Sequence, residues 1–265
     1  MRGGNFMQLD SAAAVNGVRN LLLRLQYDGT AYHGWQVQQN ARSVQQTLQE
    51  ALFPILGGPH DLKGCSRTDS GVHANEYYVS VRTHAAIPCV RLQAALNVRL
   101  PRDIAVLDCR EVPLDFHARY SCTGKEYVYQ IWNGPVKNPF LERYALHYPY
   151  PLDAEALHRC AQAYVGTHDF SAFCSAGGKK LDPVRTVTSF EVARAGALVT
   201  MRVAADGFLY NMVRIMVGTL LRVAQGKIAP TGIPAILESR DRGRAGLTAP
   251  PHGLFLNRVF YNEPI

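Results

Sequence analysis

The 265 residues hold no C-x-x-C pair and no grouping of histidine, cysteine and carboxylate at ligand spacing, although six cysteines and nine histidines are present. Cys65, Cys89, Cys109, Cys122, Cys160 and Cys174 are scattered, with no signal-peptide pattern ahead of them, and read as reduced cytosolic thiols. No metal is expected. Loops of the G-x-G-x-x-G or Walker kind are missing as well, so no nucleotide cofactor is expected and redox or ATP chemistry has no cradle. No uninterrupted apolar run nears the about 18 residues of a membrane span. The longest candidate, 208–223, is broken by Asn211, Arg214, Gly218 and Arg222. A soluble, cytoplasmic protein with no membrane partner follows. Asp-Ser-Gly occurs once, at 69–71. An aspartic protease needs two such carboxylates sharing one proton, so that chemistry is set aside.

What is present is a core and a positive field. Hydrophobic residues make up 47% of the chain, and the net charge is +7. Charge of that sign favours a polyanion such as nucleic acid or an anionic membrane surface. Lys179, Lys180 and Arg185 flank Gly177-Gly178, and Arg240, Arg242 and Arg244 cluster further on. Flexible basic loops of this kind suit phosphate contact.

The element pattern is regular. Residues 1–17 show no period and read as a disordered tail. A strand over 19–27, a helix capped by Ser43, two strands bracketing residue 69, a helix started by Pro88 and a strand over 104–111 give β-α-β-β-α-β. That order is the split ferredoxin-like unit. Strands over 125–133 and 143–149, a helix from Asp153 to about Val165, a hairpin over 186–204, a helix over 209–225 and a strand over 253–261 repeat it with one addition. The expectation is an α+β fold of two ferredoxin-like (RRM-like) halves, 18–114 and 115–265. They form a mixed, largely antiparallel sheet with helices on one face and a central cleft.

Residues 64–74, Gly-Cys-Ser-Arg-Thr-Asp-Ser-Gly-Val-His-Ala, read as a strand running into a glycine turn. On a strand Arg67 and Asp69 share one face, and the guanidinium would lower the pKa of the carboxylate and keep it ionised. A turn-capping Asp69 and a weak surface ion pair are the duller readings. His73 reads as a positioning or backbone-bonding residue. On the strand from Lys125, Tyr127 and Tyr129 share a face, placed for sheet packing or for stacking on a base. On the later helix Tyr210, Asn211, Arg214 and Gly218 line a narrow polar stripe opposite Met212, Val213, Met216 and Leu220. If that stripe is buried, Arg214 needs a carboxylate, and Asp69 is the partner with chemical meaning. His168-Asp169 reads as a helix terminus rather than a catalytic dyad.

Together these motifs resemble the tRNA pseudouridine synthase A family. The family pattern G-R-T-D-x-G-V-H-A matches Ser66 to Ala74. Its F-x-A-R and K/R-x-Y-x-Y strand match Phe116 to Arg119 and Lys125 to Tyr129, and its F-L-Y-x-M-V-R matches Phe208 to Arg214. Tyr27 to Thr30 and Gly34-Trp35-Gln36 resemble its first strand and loop. Ser66 and Ser70 depart from the glycine and alanine of many members. The resemblance implies an isomerase that turns uridines of the tRNA anticodon stem-loop into pseudouridine, working as a homodimer without cofactor. It implies Asp69 as catalytic aspartate, Tyr127 as active-site tyrosine, Arg214 as ion-pair partner of Asp69, and Arg67 as the side chain filling the gap of a flipped base. Thr68, His73, Lys179, Lys180 and Arg185 would face RNA. A synthase for another RNA, or a non-catalytic double RRM-like RNA-binding protein, would share the charge and the element order. The second would need an RNP1 aromatic pattern, which the chain lacks.

Overall fold

The computed structural model describes residues 17–176 and 182–262. The expected tail, apart from Gly17, lies outside the described residues, as do Lys179 and Lys180.

Strand β1 (Arg19–Tyr27) carries Leu21, Leu23 and Leu25, each fully buried. Leu22 on its other face is buried too, and Asn20 Nδ2 donates to the carbonyls of Pro113 and Phe116. Helix α1 (Val44–Leu56) starts where Ser43 Oγ accepts the Gln46 N–H at 3.2 Å, and it buries Val44, Leu48 and Leu52. After the short β2 (Lys63–Gly64) come β3 (His73–Thr83), α2 (Cys89–Arg99) and β4 (Ile104–Val112). In the second half, β5 (Cys122–Trp132) and the two-residue β6 (Leu146–His147) precede α3 (Ala154–Ala161). Then follow β7 (Gly166–Asp169), β8 (Val184–Ala195), β9 (Leu198–Ala205), α4 (Met212–Ala224), α5 (Ile233–Ser239) and β10 (Leu254–Tyr261).

The strands join into one sheet in the order β4-β1-β3-β10-β5-β9-β8-β7, with β2 on β3 and β6 on β5. Two units are visible in it. Within the first half the order is β4-β1-β3-β2 and within the second β10-β5-β9-β8, which is the split βαββαβ arrangement twice. The pairings inside each unit are antiparallel. The seam between units is a parallel contact of β10 with β3, through Phe255 beside His73 and Leu256 beside Ala74. Leu256 is fully buried there, a contribution of about 2 kcal/mol from one side chain.

Four expectations change. Residues 166–169 form β7 on the edge of β8 rather than a helix end. Gly166 at φ +114° stops the preceding turn, and His168 then pairs with Arg185 in the ladder. The strand expected over 143–149 shrinks to β6. Helix α4 begins at Met212, because Asn211 before it is left-handed at φ +60°. Finally, only Lys63 and Gly64 are strand ahead of Asp69; residues 65–72 leave the sheet.

Candidate active site

The 65–72 loop is held by bonds from the segments before and after it, and these replace a strand ladder. The Trp35 N–H donates to Thr68 O at 3.2 Å, the Gly71 N–H to Tyr32 O at 3.1 Å, and the Tyr77 hydroxyl to Ser66 O. Tyr27 OH and Thr68 Oγ1 lie 2.8 Å apart. The turn itself closes where the Val72 N–H donates to Asp69 O, with Gly71 at φ +75°. Gly34 is required beneath it: its φ is +79°, and a Cβ there would stand 2.4 Å from Thr68 O.

Off the strand, no ion pair joins Arg67 to Asp69 among the described residues. Arg67 is exposed at the loop surface. Asp69 instead points to α4, where Arg214 Nη1 meets Oδ2 at 3.3 Å, with 20% of the carboxylate side chain and 15% of the arginine exposed. Burial pushes the Asp69 pKa above the usual 3.8, and Arg214, through its charge and its hydrogen bond, takes back part of that rise. The lowering expected from Arg67 is therefore corrected, since desolvation outweighs the cation; the cation is Arg214, the partner also expected for Asp69.

Arg214 is fixed on several sides. Nε donates to Ala249 O at 2.7 Å, Nη1 donates to Asn211 Oδ1 at 2.7 Å, and the Ala249 N–H returns a bond to Arg214 O at 3.1 Å. The strap that carries Ala249 lies directly on α4. A Cβ on Gly218 would stand 1.7 Å from Leu247 O, and one on Gly246 would stand 2.4 Å from Thr219 N. The polar stripe read from the sequence is thus the groove that receives this strap.

Tyr127 completes the group. It is 6% exposed, its OH lies 3.3 Å from Ser66 Oγ, and Phe208 meets its ring edge-on at 5.1 Å. Burial drives its phenol pKa up, opposed by the Ser66 bond and reinforced by the Asp69 charge, so the phenol stays protonated and can donate. Tyr129 shares its face and is spoken for, since its OH donates to Pro250 O at 2.8 Å.

Two residues expected to face RNA have partners inside the protein. Thr68 is bonded to Tyr27 as above. His73 is 1% exposed and stacks on Phe255 at 4.6 Å. Its Nδ1 lies 3.0 Å from the Gly29 backbone nitrogen, and its Nε2 lies 3.2 Å from His252 O. Burial lowers its pKa below 6.5 against the pull of Asp28, whose Oδ1 lies 3.1 Å from Nδ1. Arg185 lies beside Gly207, where the segment leading to Phe208 begins, and donates to Asp182 O at 2.8 Å. Of the later arginines, Arg240 pairs with Asp169 at 2.9 Å and Arg242 bonds Gly246 O and Thr248 Oγ1. Arg244 is exposed.

Asn211 stands on the expected polar stripe and Ser66 in the Asp69 motif, but the bond of Asn211 to Arg214, the contact of Ser66 with Tyr127 and the 245–249 strap are not marked by the sequence motifs. Gly218 within a helix, answered by Gly246 downstream, was the available signal for the strap.

The Asp69–Arg214 pair, with Tyr127 near it, lies at the seam of two split βαββαβ units. The family model for tRNA pseudouridine synthase matches residues 25–121 and 160–262. The chain belongs to that family and is an isomerase of tRNA uridine. Curated relatives agree along nearly the whole chain. It is 48% identical over 244 residues to tRNA pseudouridine synthase A of Acetivibrio thermocellus, covering 92% of this chain and 100% of that protein. It is 44% identical to tRNA pseudouridine synthase A of a Thermoanaerobacter species, with the same coverage. It is also 44% identical to tRNA pseudouridine synthase A 2 of Clostridium perfringens over 245 residues, again 92% and 100%.

Proposed function

We propose that this chain acts on uridines of the tRNA anticodon stem-loop, with Asp69 as the nucleophile. The observation that carries the reading is the Asp69 carboxylate, raised in basicity by burial yet held beside Arg214 at 3.3 Å. Pseudouridine formation breaks C1′–N1 and makes C1′–C5; the C5 hydrogen leaves as a proton and N1 gains one. Electrons balance within the base, so the reaction asks for a nucleophile and proton carriers. Asp69 supplies the first. Tyr127, still protonated beside it, is placed to stack on the base and to bond it.

A uridine in a stem must leave its stack, at a cost of a few kcal/mol. Arg67, exposed next to Asp69, enters the gap, and its planar guanidinium stacks on the neighbouring bases. Thr68 and His73 serve the same step indirectly, by holding the loop on which Arg67 and Asp69 stand. Arg185 and Arg244, with Lys179 and Lys180, supply charge for the phosphates. The working unit is a cytoplasmic homodimer that cradles one stem-loop between its subunits.

Purified protein incubated with tRNA transcripts tests the substrate. Pseudouridine is expected at anticodon-arm uridines and lost when those are replaced by cytidine. Modification confined to another arm would overturn the reading.

A further inference from the structure

Asn211 stands immediately before α4 at φ +60° and ψ +9°. Glycine takes that left-handed geometry freely, and asparagine is among the few other residues that tolerate it. The amide accounts for the asparagine. Its Oδ1 accepts from Arg214 Nη1 at 2.7 Å, and its Nδ2 donates to Ser175 Oγ at 3.0 Å. Nη1 is the same nitrogen that reaches Asp69 Oδ2 at 3.3 Å. Arg214 has a long, flexible stem, and Ala249 O pins only its Nε. Among the described residues, without Asn211 nothing on the α4 side fixes the end of the guanidinium that turns to Asp69.

We propose that Asn211 is a positioning residue for the reaction: oriented by Ser175, its amide aims the Arg214 guanidinium at the Asp69 carboxylate. The inference rests on the reading of Asp69 as nucleophile. The groups around the pair are few among the described residues. Arg214 of α4 is the charge that acts on Asp69, and Tyr127 of β5 faces it. Tyr129 of β5 and His252, just ahead of β10, face Arg214. Burial keeps both tyrosines protonated and holds His252 below its ordinary pKa, ahead of the charges of His73 and Arg214. Loosening Arg214 therefore weakens the cation that opposes desolvation of Asp69, and the carboxylate becomes harder to ionise.

Single-turnover rates measured against pH test the proposal, with the parent protein, N211G, N211D, S175A and D69N. N211G keeps the left-handed backbone and deletes the amide. It is expected to fold, with the acid limb of its profile moved up by roughly half a pH unit or more. N211D moves the limb further, because a second carboxylate takes up the charge of Arg214. S175A, which removes one bond and leaves the helix start intact, moves it less and in the same direction. An unmoved limb in N211G and S175A alongside an inactive D69N overturns the role of Asn211. Normal turnover by D69N overturns the reading of Asp69 and this proposal with it.

Discussion

At the scale of single residues, charge at the site is decided by burial more than by sequence neighbours. Arg67 is two residues from Asp69 and does not act on it, whereas Arg214 is 145 positions away and does. Because burial raises the Asp69 pKa and Arg214 restrains it, removing the cation raises it further. Arg214→Gln should shift the acid limb of the pH–rate profile upward by about one unit and slow turnover at neutral pH at least tenfold. An unshifted limb would deny Arg214 its electrostatic role. His73 gives a stability prediction of definite sign. Its folded pKa is depressed below 6.5, so the unfolded chain binds more protons just under that value and stability rises with pH across the window. The contribution is fully present above pH 6.5 and is lost as pH falls toward the depressed value. Melting of His73→Gln should therefore be less pH-dependent than the parent as pH falls below about 6.5. The residue types were legible in the sequence, since few folds gather Arg, Asp and His in one short run only for packing. Their environments were not, because desolvation depends on chain that arrives from far away.

At the scale of elements, the ladder and the helices followed from period and capping, as Ser43 and Asp153 show by accepting the first helical N–H groups. Irregular backbone did not follow. The 65–72 loop alternates well enough to suggest a strand, but Tyr27, Tyr32, Trp35 and Tyr77 claim its backbone and side-chain groups from outside. No local pattern encodes those bonds. Likewise the two-residue β6 and the strand β7 depend on partners, β5 and β8, that propensity does not see. Gly34 and Gly218 test this level. Gly34→Ala is strained at φ +79° and collides with Thr68 O, so it should cost about 2 kcal/mol and displace the Asp69 loop. Gly218→Ala drives the 245–249 strap away from α4 and should cost about 3 kcal/mol, with activity lost ahead of the fold. Denaturant melts beside turnover assays separate the two effects. Wild-type stability in either variant would remove the close approach as a constraint.

At the scale of the whole molecule, the doubled β-α-β-β-α-β order was readable from the sequence, whereas the way the halves meet was not. The last strand, β10, lies between β3 and β5, so residues at the C-terminal end of the fold close the sheet at its centre. That seam brings Asp69 of one half to Arg214 and Tyr127 of the other, and the site exists only when both halves are docked. The net charge of +7 acts over the same scale, drawing an RNA polyanion to the molecule. Association constants for tRNA should fall steeply and linearly with salt on logarithmic axes; a flat response would remove the basic loops from the interface. Asp69, held in place by Arg214, is the carboxylate proposed to react. The most direct test is the single-turnover rate of pseudouridine formation by Asp69→Asn, with tRNA affinity measured on the same sample. The rate should fall by a factor on the order of 10⁴ or more, with affinity within about threefold of the parent. Turnover at the parental rate would contradict the assignment.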